Sequence, residues 1–219
     1  MERAFIFDNI NTFSDWRLIL NAKSVTPPKP NTNYVKLDGM SGTLDLSESL
    51  TGEVTYEDRT VSATFLATEG SYITRVNLFD NIIKKLHGKK VKIIEPDDPY
   101  HYLYGRITVK SIDNNRVYGK ITLEATCEPW RYSIDEIIRT VELSAKKVKV
   151  IIVNNGVKTI IPKILIKGSP ATIIVNGQEI VSYPSNTYIS SEVYLRQGEY
   201  ILTISGDGSI SFKYEEASL

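Results

Sequence analysis

The sequence predicts a mostly β protein in two parts. An α+β domain over residues 1–132, with a sheet, one packed helix and a β-hairpin, precedes a β-sandwich or jelly roll over 136–219. Three observations carry this. Tyrosine is abundant (13 residues) and β-branched side chains are common, both suited to a pleated, half-buried surface. Only Ser71–His87 has convincing helical periodicity. After Glu136, turn signals recur between short apolar runs, the spacing of a sandwich.

Taken in order, Ala4–Phe7 and Trp16–Leu20 are expected strands flanking a polar turn, DNINTFSD. Thr26–Asn31 (TPPKPN) is an extended loop, because proline locks φ and removes donors. It reads as an exposed connector, with a proline-rich ligand for a partner domain as the alternative. Lys36–Arg59 (KLDGMSGTLDLSESLTGEVTYEDR) places Gly39, Gly42 and Gly52 among residues alternating around Leu44, Leu46, Val54 and Tyr56. That pattern predicts short strands with tight turns or bulges, its charges facing water or a partner chain. Thr60–Ala67 alternates Val61, Ala63, Phe65 and Ala67 on one face, a strand.

The helix follows. Its expected apolar stripe is Tyr72, Val76, Phe79, Ile83 and Leu86, with Ser71 as cap. Lys84, Lys85 and His87 stand at the negative end of its dipole, and Gly88 ends it. Lys90–Glu95 is a strand running into the rigid acidic turn Glu95–Pro99; Tyr100, Tyr102 and Tyr104 then alternate onto one face of the next strand. Asn114-Asn115 predicts a turn before a strand over Val117–Cys127. Pro129–Asp135 is the expected domain boundary. Beyond it, turn signals stand at Asn154-Asn155-Gly156, Gly168-Ser169-Pro170, Asn176-Gly177, Gln197-Gly198 and Gly206-Asp207-Gly208. Asn176-Gly177 predicts a type I′ hairpin within Thr172–Ile180.

Composition narrows the function. The 26 basic and 26 acidic side chains leave no basic excess of the kind that drives non-specific nucleic-acid binding. Cys127 stands alone, so no internal disulfide forms, which fits a reducing compartment. The opening MERAFIF is too short an apolar run for a signal peptide, and no stretch approaches the roughly 20 apolar residues of a membrane span. The expectation is a soluble protein made in the cytoplasm.

No catalytic, cofactor or metal site is expected. Pro96, Asp97, Asp98 and Pro99 read as a structural turn, because adjacent carboxylates diverge there; a cation site is the alternative. Neither His87 nor His101 has a partner at ligand spacing. Cys127 reads as a core thiol, and Gly206–Ser211 lacks the third glycine and the helix of a dinucleotide motif. Tyr183, Tyr188 and Tyr194 are core or edge residues of the sandwich, or else a platform for sugar rings.

LDGMSGTLDLSESLTGEVTYEDR (37–59) and LHGKKVKIIEPDDPYHYLYGR (86–106), closed by Cys127–Trp130, resemble the N-terminal region of phage distal tail proteins. This is the baseplate-hub family that caps the tail tube of long-tailed phages. VNNGVKTIIPKILIKGSPATIIVNG (153–177) is loosely similar to the C-terminal sandwich of that family. The resemblance implies a non-enzymatic virion component of a phage, prophage or tail-like bacteriocin. Its N-terminal domain would form a hexameric ring, and a galectin-like jelly roll would project outward. It also implies three kinds of partner: tail tube protein, tail-associated tip protein and receptor-binding proteins. DNA would pass through unread.

Within that frame Gly39, Gly42, Leu44, Leu46, Gly52 and Arg59 are the candidate subunit-interface residues, since an unpaired strand edge is satisfied by closing a ring. Arg59 would form a bidentate carboxylate pair across that seam, or pair within its own chain, or face water. The alternative function is a carbohydrate-binding adhesin module in host attachment.

Overall fold

The structure, a computed structural model, describes residues 3–144, 146–175, 178–189 and 192–219, with the backbone alone at 178–183. Contacts divide the chain into two compact units, the stretch up to Arg131 together with Leu219, and Tyr132–Ser218.

The first unit contains strands β1 (Ile6–Phe7), β2 (Ile10–Asn11), β3 (Ile19–Val25), β4 (Tyr34–Val35), β5 (Leu44–Asp45) and β6 (Arg59–Ala67). Helix α1 (Tyr72–Leu86) follows, then β7 (Lys90–Glu95), β8 (Asp98–Asn114) and β9 (Gly119–Cys127). Seven of the strands make one antiparallel sheet in the order β2-β1-β7-β8-β9-β6-β3. Strand β6 alternates as expected, burying Val61, Ala63, Phe65 and Ala67. They meet Phe5, Phe7, Ile107, Ile121 and Leu123 in a continuous core, which the helix covers with one face.

Two expectations shift. The polar stretch DNINTFSD holds a strand of its own. Asp8 at φ 53° turns the chain so that Ile10–Asn11 folds back on β1, and both its backbone N–H and its carboxylate bond to Lys92. Strand β3 correspondingly begins at Ile19, leaving Trp16 and Leu18 as buried loop residues. The anchor on Lys92 is 84 residues away, so no local pattern announces it.

The helix bounds match, with the Ser71 hydroxyl accepting from the Thr74 N–H and Gly88 at φ 75° just beyond. The buried face, however, is Arg75, Phe79, Ile82 and Leu86, rotated from the expected stripe, and Tyr72 stands half exposed. The reason is Arg75. Its Nε donates to Asn114 Oδ1 (3.0 Å), Nη1 to the Gly70 carbonyl (2.7 Å) and Nη2 to the Asn115 carbonyl (2.6 Å). The guanidinium thus satisfies the β8–β9 turn from inside the fold and turns the helix toward it. At Gly119 an added Cβ would sit 2.7 Å from the Phe79 ring, so helix and hairpin touch where no side chain intervenes.

Strand β10 (Arg131–Ser133) starts on Arg131, where the first stretch ends, and the second unit goes on with β11 (Ile137–Ser144), β12 (Val148–Asn154), β13 (Lys163–Gly168), β14 (Ala171–Val175) and β15 (Gln178–Tyr183). Strands β16 (Thr187–Ile189), β17 (Gly198–Ser205), β18 (Asp207–Tyr214) and β19 (Ala217–Ser218) complete it. Two four-stranded antiparallel sheets, β11-β18-β13-β16 and β12-β17-β14-β15, supply Ile164, Ile166, Ile210 and Phe212 from one side and Ile152, Ile173, Leu202 and Ile204 from the other. This is a β-sandwich, and the molecule is mostly β, with one helix among the described residues. The Asn154–Gly156 turn is locked from within: buried Asn154 donates to the Lys158 and Leu195 carbonyls (3.0 Å each) and accepts from the Gly156 N–H. Val175 lies opposite Gln178 in the β14–β15 pair, while the expected turn residues Asn176 and Gly177 lie outside the described residues.

Replacing Arg75 by Ala removes three charge-assisted bonds and strands two carbonyls and an amide oxygen. A loss of about 3 kcal/mol in urea unfolding is expected. Arg75→Lys should recover less than half of it, because an ammonium cannot span three acceptors.

Candidate functional site

Residues 30–57 leave the body as an arm. Its legs pair at Pro30–Tyr56 and then, as strands β4 and β5, at Tyr34–Asp45 and Val35–Leu44. Backbone bonds from Asn31 to Thr55 and from Glu57 to Lys29 zip the legs at the root. Gly39, Gly42 and Gly52 have φ of 82°, 90° and 69° with open space where a Cβ would be, so conformation alone calls for glycine there. Tyr34, Leu37, Met40, Leu44 and Val54 are all exposed, and Leu50 is 98% exposed. An apolar surface on a two-stranded ribbon is unusual for an element that has only water to face.

Of the expected interface residues, Gly39, Gly42, Leu44 and Gly52 are thus displayed, and Leu46 is half-buried, its N–H on the Asn33 carbonyl. Arg59 is not displayed. It is 4% exposed at the start of β6, and its Nη2 donates to the Pro129 carbonyl of its own chain. The intramolecular alternative therefore describes that contact. Its Nε is buried with no partner. Burial, then the positive charge of Arg131, lowers its proton affinity.

The acidic turn is tighter than expected, with only Pro96 and Asp97 outside the strands and Glu95 opposite Asp98. Its carboxylates diverge. Asp97 accepts from Arg3 Nη2 at 2.5 and 2.6 Å and pairs with Lys23 Nζ at 2.9 Å; Lys23 also pairs with Glu95. Asp98 instead meets His101 Nδ1 at 2.8 Å and Arg131 Nη1 at 3.4 Å. The bonds from Arg3, then Lys23, hold the Asp97 carboxyl below the usual carboxylate range. Burial works against the charged Lys23, yet Glu95 and Asp97 outweigh it and raise its pKa. Among the described residues no three His, Cys, Asp or Glu side chains stand together as metal ligands.

Other singled-out residues have structural settings. Cys127 is fully buried, and burial pushes its thiol up to about 12, too high for a nucleophile near neutrality. His87 caps the helix as expected, and its Nδ1 also accepts the Val109 N–H (3.0 Å) beside a β8 bulge. Lys92 and Lys90 lie over the Tyr102 and Tyr104 rings at 4.2 and 4.5 Å, partners the tyrosine spacing did not reveal. Tyr188 packs against the sandwich core, Tyr194 is exposed beside Arg196, and the Tyr183 side chain lies outside the described residues.

No family profile matches this chain, and no curated protein sequence does. Among solved structures, the crystal structure of the SPP1 Dit protein (gp 19.1) superposes with a TM-score of 0.73. The match covers 98% of this chain and 99% of that one at 12% sequence identity. The chain has the Dit fold. SPP1 Dit is described as a paradigm of the hub adsorption apparatus in phages that infect Gram-positive bacteria. At this identity the likeness concerns architecture, and it extends over both units.

Because Asp97 is already neutralised by two cations, millimolar calcium or magnesium should leave the melting temperature of the wild type and of Asp97→Asn/Asp98→Asn unchanged. The carboxyl should titrate by NMR below a free aspartate. Its stabilising contribution is present above the unfolded-state pKa and is lost as pH falls through the lower folded value. A metal-dependent rise confined to wild type would reinstate a cation site.

Proposed function

We propose that this protein is a distal tail protein, the structural hub of a phage tail tip or of a related prophage or bacteriocin particle. The observation that carries the reading is the near full-length Dit fold, shared at 12% identity across both units. On this reading the first unit closes a ring, hexameric by resemblance, that joins the tail tube to the tip, and the sandwich docks tip and receptor-binding proteins. The exposed apolar arm supports ring closure. Its unpaired edges and side chains such as Leu50 need a partner surface, and a neighbouring copy supplies the same one six times. The adhesin alternative has weaker support, since of the three tyrosines behind it only Tyr194 is exposed among the described side chains.

Negative-stain microscopy of the purified protein, alone and with its tail tube partner, should show rings. Gly52→Val places a β-branched residue at φ 69° and should distort the arm while leaving the circular dichroism of the body intact. Light scattering should then report a smaller mass than wild type. A folded variant of unchanged mass removes the arm from the interface.

We also infer that the units fold independently. Limited proteolysis should cut near 130–136, and isolated 136–219 should melt cooperatively. An unfolded fragment would refute the division.

A further inference from the structure

The ribbon of β3 and β6 carries a different feature at each end. At one end it runs on as the arm: Val25 lies opposite Val61, the Thr26 N–H bonds to the Thr60 carbonyl, and the ladder continues through Lys29 and Glu57. At the other end Ile19, Leu66 and Lys120 stand side by side across β3, β6 and β9. There Asn21, Leu66, Thr68, Val117, Tyr118 and Lys120 line an open pocket of about 500 Å³. Its wall is preformed. Asn115 Oδ1 accepts the N–H groups of Val117 (2.8 Å) and Tyr118 (3.0 Å), and Arg75 in turn holds the Asn115 carbonyl. Val117 is left 77% exposed, with Ile19 exposed beside Leu66. A rigid, partly apolar hollow open to water suits an apolar occupant.

The arm displays one. Between Leu46, bonded to Asn33, and Thr55, bonded to Asn31, its returning leg makes an excursion. There the Gly52 N–H donates to the Glu48 carbonyl (2.8 Å), closing a turn that carries Leu50, 98% exposed. Glu48 and Glu53 flank this knob, whereas Arg116 and Lys120 flank the pocket without an ion pair among the described residues. The charges are complementary. Asp113, opposite Lys120, and Glu69 limit the positive excess, so Leu50 carries the contact and the charges orient it. The chain's own knob falls short of the pocket. From Leu66 to Thr55 the ribbon, at about 3.3 Å per residue, spans roughly 35 Å. Leu50, tethered to Thr55, reaches back at most roughly 18 Å. Knob and pocket at opposite ends of one ribbon suit a head-to-tail contact, the kind that closes rings.

We propose that the pocket beside the β8–β9 turn receives Leu50 from the arm of a second copy of this chain, with Glu48 and Glu53 set against Arg116 and Lys120. This rests on the ring reading and names the surface on which each arm docks.

The test mixes two full-length variants, Leu50→Cys and a mass-tagged Val117→Cys, under a mild oxidant and reads mixed disulfide dimers on a non-reducing gel. The one native thiol, Cys127, is buried and gives no background. Thermal melting confirms that each variant folds. The pair should cross-link at least tenfold faster than Leu50→Cys with tagged Tyr100→Cys, a position also 77% exposed but at the opposite end of β8 from the pocket. The double variant Leu50→Cys/Val117→Cys should give a ladder of linked chains. Equal rates in the two mixtures, no mixed dimer, or an internally linked monomer in the double variant each overturns the proposal. Ring formation, read separately by microscopy, tells the two ideas apart. Rings without this cross-link refute the docking alone, and the cross-link in a protein that never forms rings refutes the ring alone.

Discussion

The sheet of the first unit depends on one close approach of backbone. Strand β8 bonds to β7 through its first half and to β9 through its second, and the two pairings overlap only at Gly105 and Arg106. At Gly105 a Cβ would overlap the Cys127 sulfur and lie 2.9 Å from the Thr126 carbonyl. Glycine is needed there for space rather than for φ, and a side chain would pry β8 from β9. Since β9 also carries β6, and β6 carries β3 with both arm roots, the arm's position traces back to that contact.

The helix is oriented by a polar group in the same way. Arg75 is among the largest fully buried side chains, and it binds the loop before the helix to the turn after β8. Apolar burial supplies most of the driving force for packing α1 on the sheet, but it is indifferent to small rotations about the helix axis. Three directed bonds are not. The same contrast separates body from arm. The body encloses its apolar side chains, whereas the arm holds its shape through backbone pairing and three left-handed glycines and leaves its apolar surface outside.

The residues with reactive chemistry are absorbed into structure. Asp97 and Asp98 tie the β7–β8 turn to Arg3, Lys23, His101 and Arg131; His87 closes a bulge; Cys127 is a core thiol under Gly105. Each satisfies a buried or turn-bound group. Arg59 and Arg131 stand together at the arm root, Arg59 donating to the Pro129 carbonyl and Arg131 to Leu219 and Asp98.

Sequence by itself determined what depends on neighbours in the chain. The alternation in β6, the Ser71 cap, the left-handed glycines of the arm and the strand-rich sandwich all follow from local sterics and period. So do the turns expected at Glu95–Pro99 and Asn114-Asn115, although the first is tighter than that. The second runs on to Tyr118, so that β9 starts at Gly119 and not at the expected Val117. The Dit resemblance came from short motifs of the same kind. Only the tertiary structure decided where long-range partners pin the chain: Asp8 on Lys92, Arg75 on a turn 40 residues away, and Arg59 turned inward to Pro129. An arginine in a sequence reads as a surface charge, because burying one is favourable only when carbonyls from distant segments converge on it. That convergence is a property of the fold, and no local window contains it.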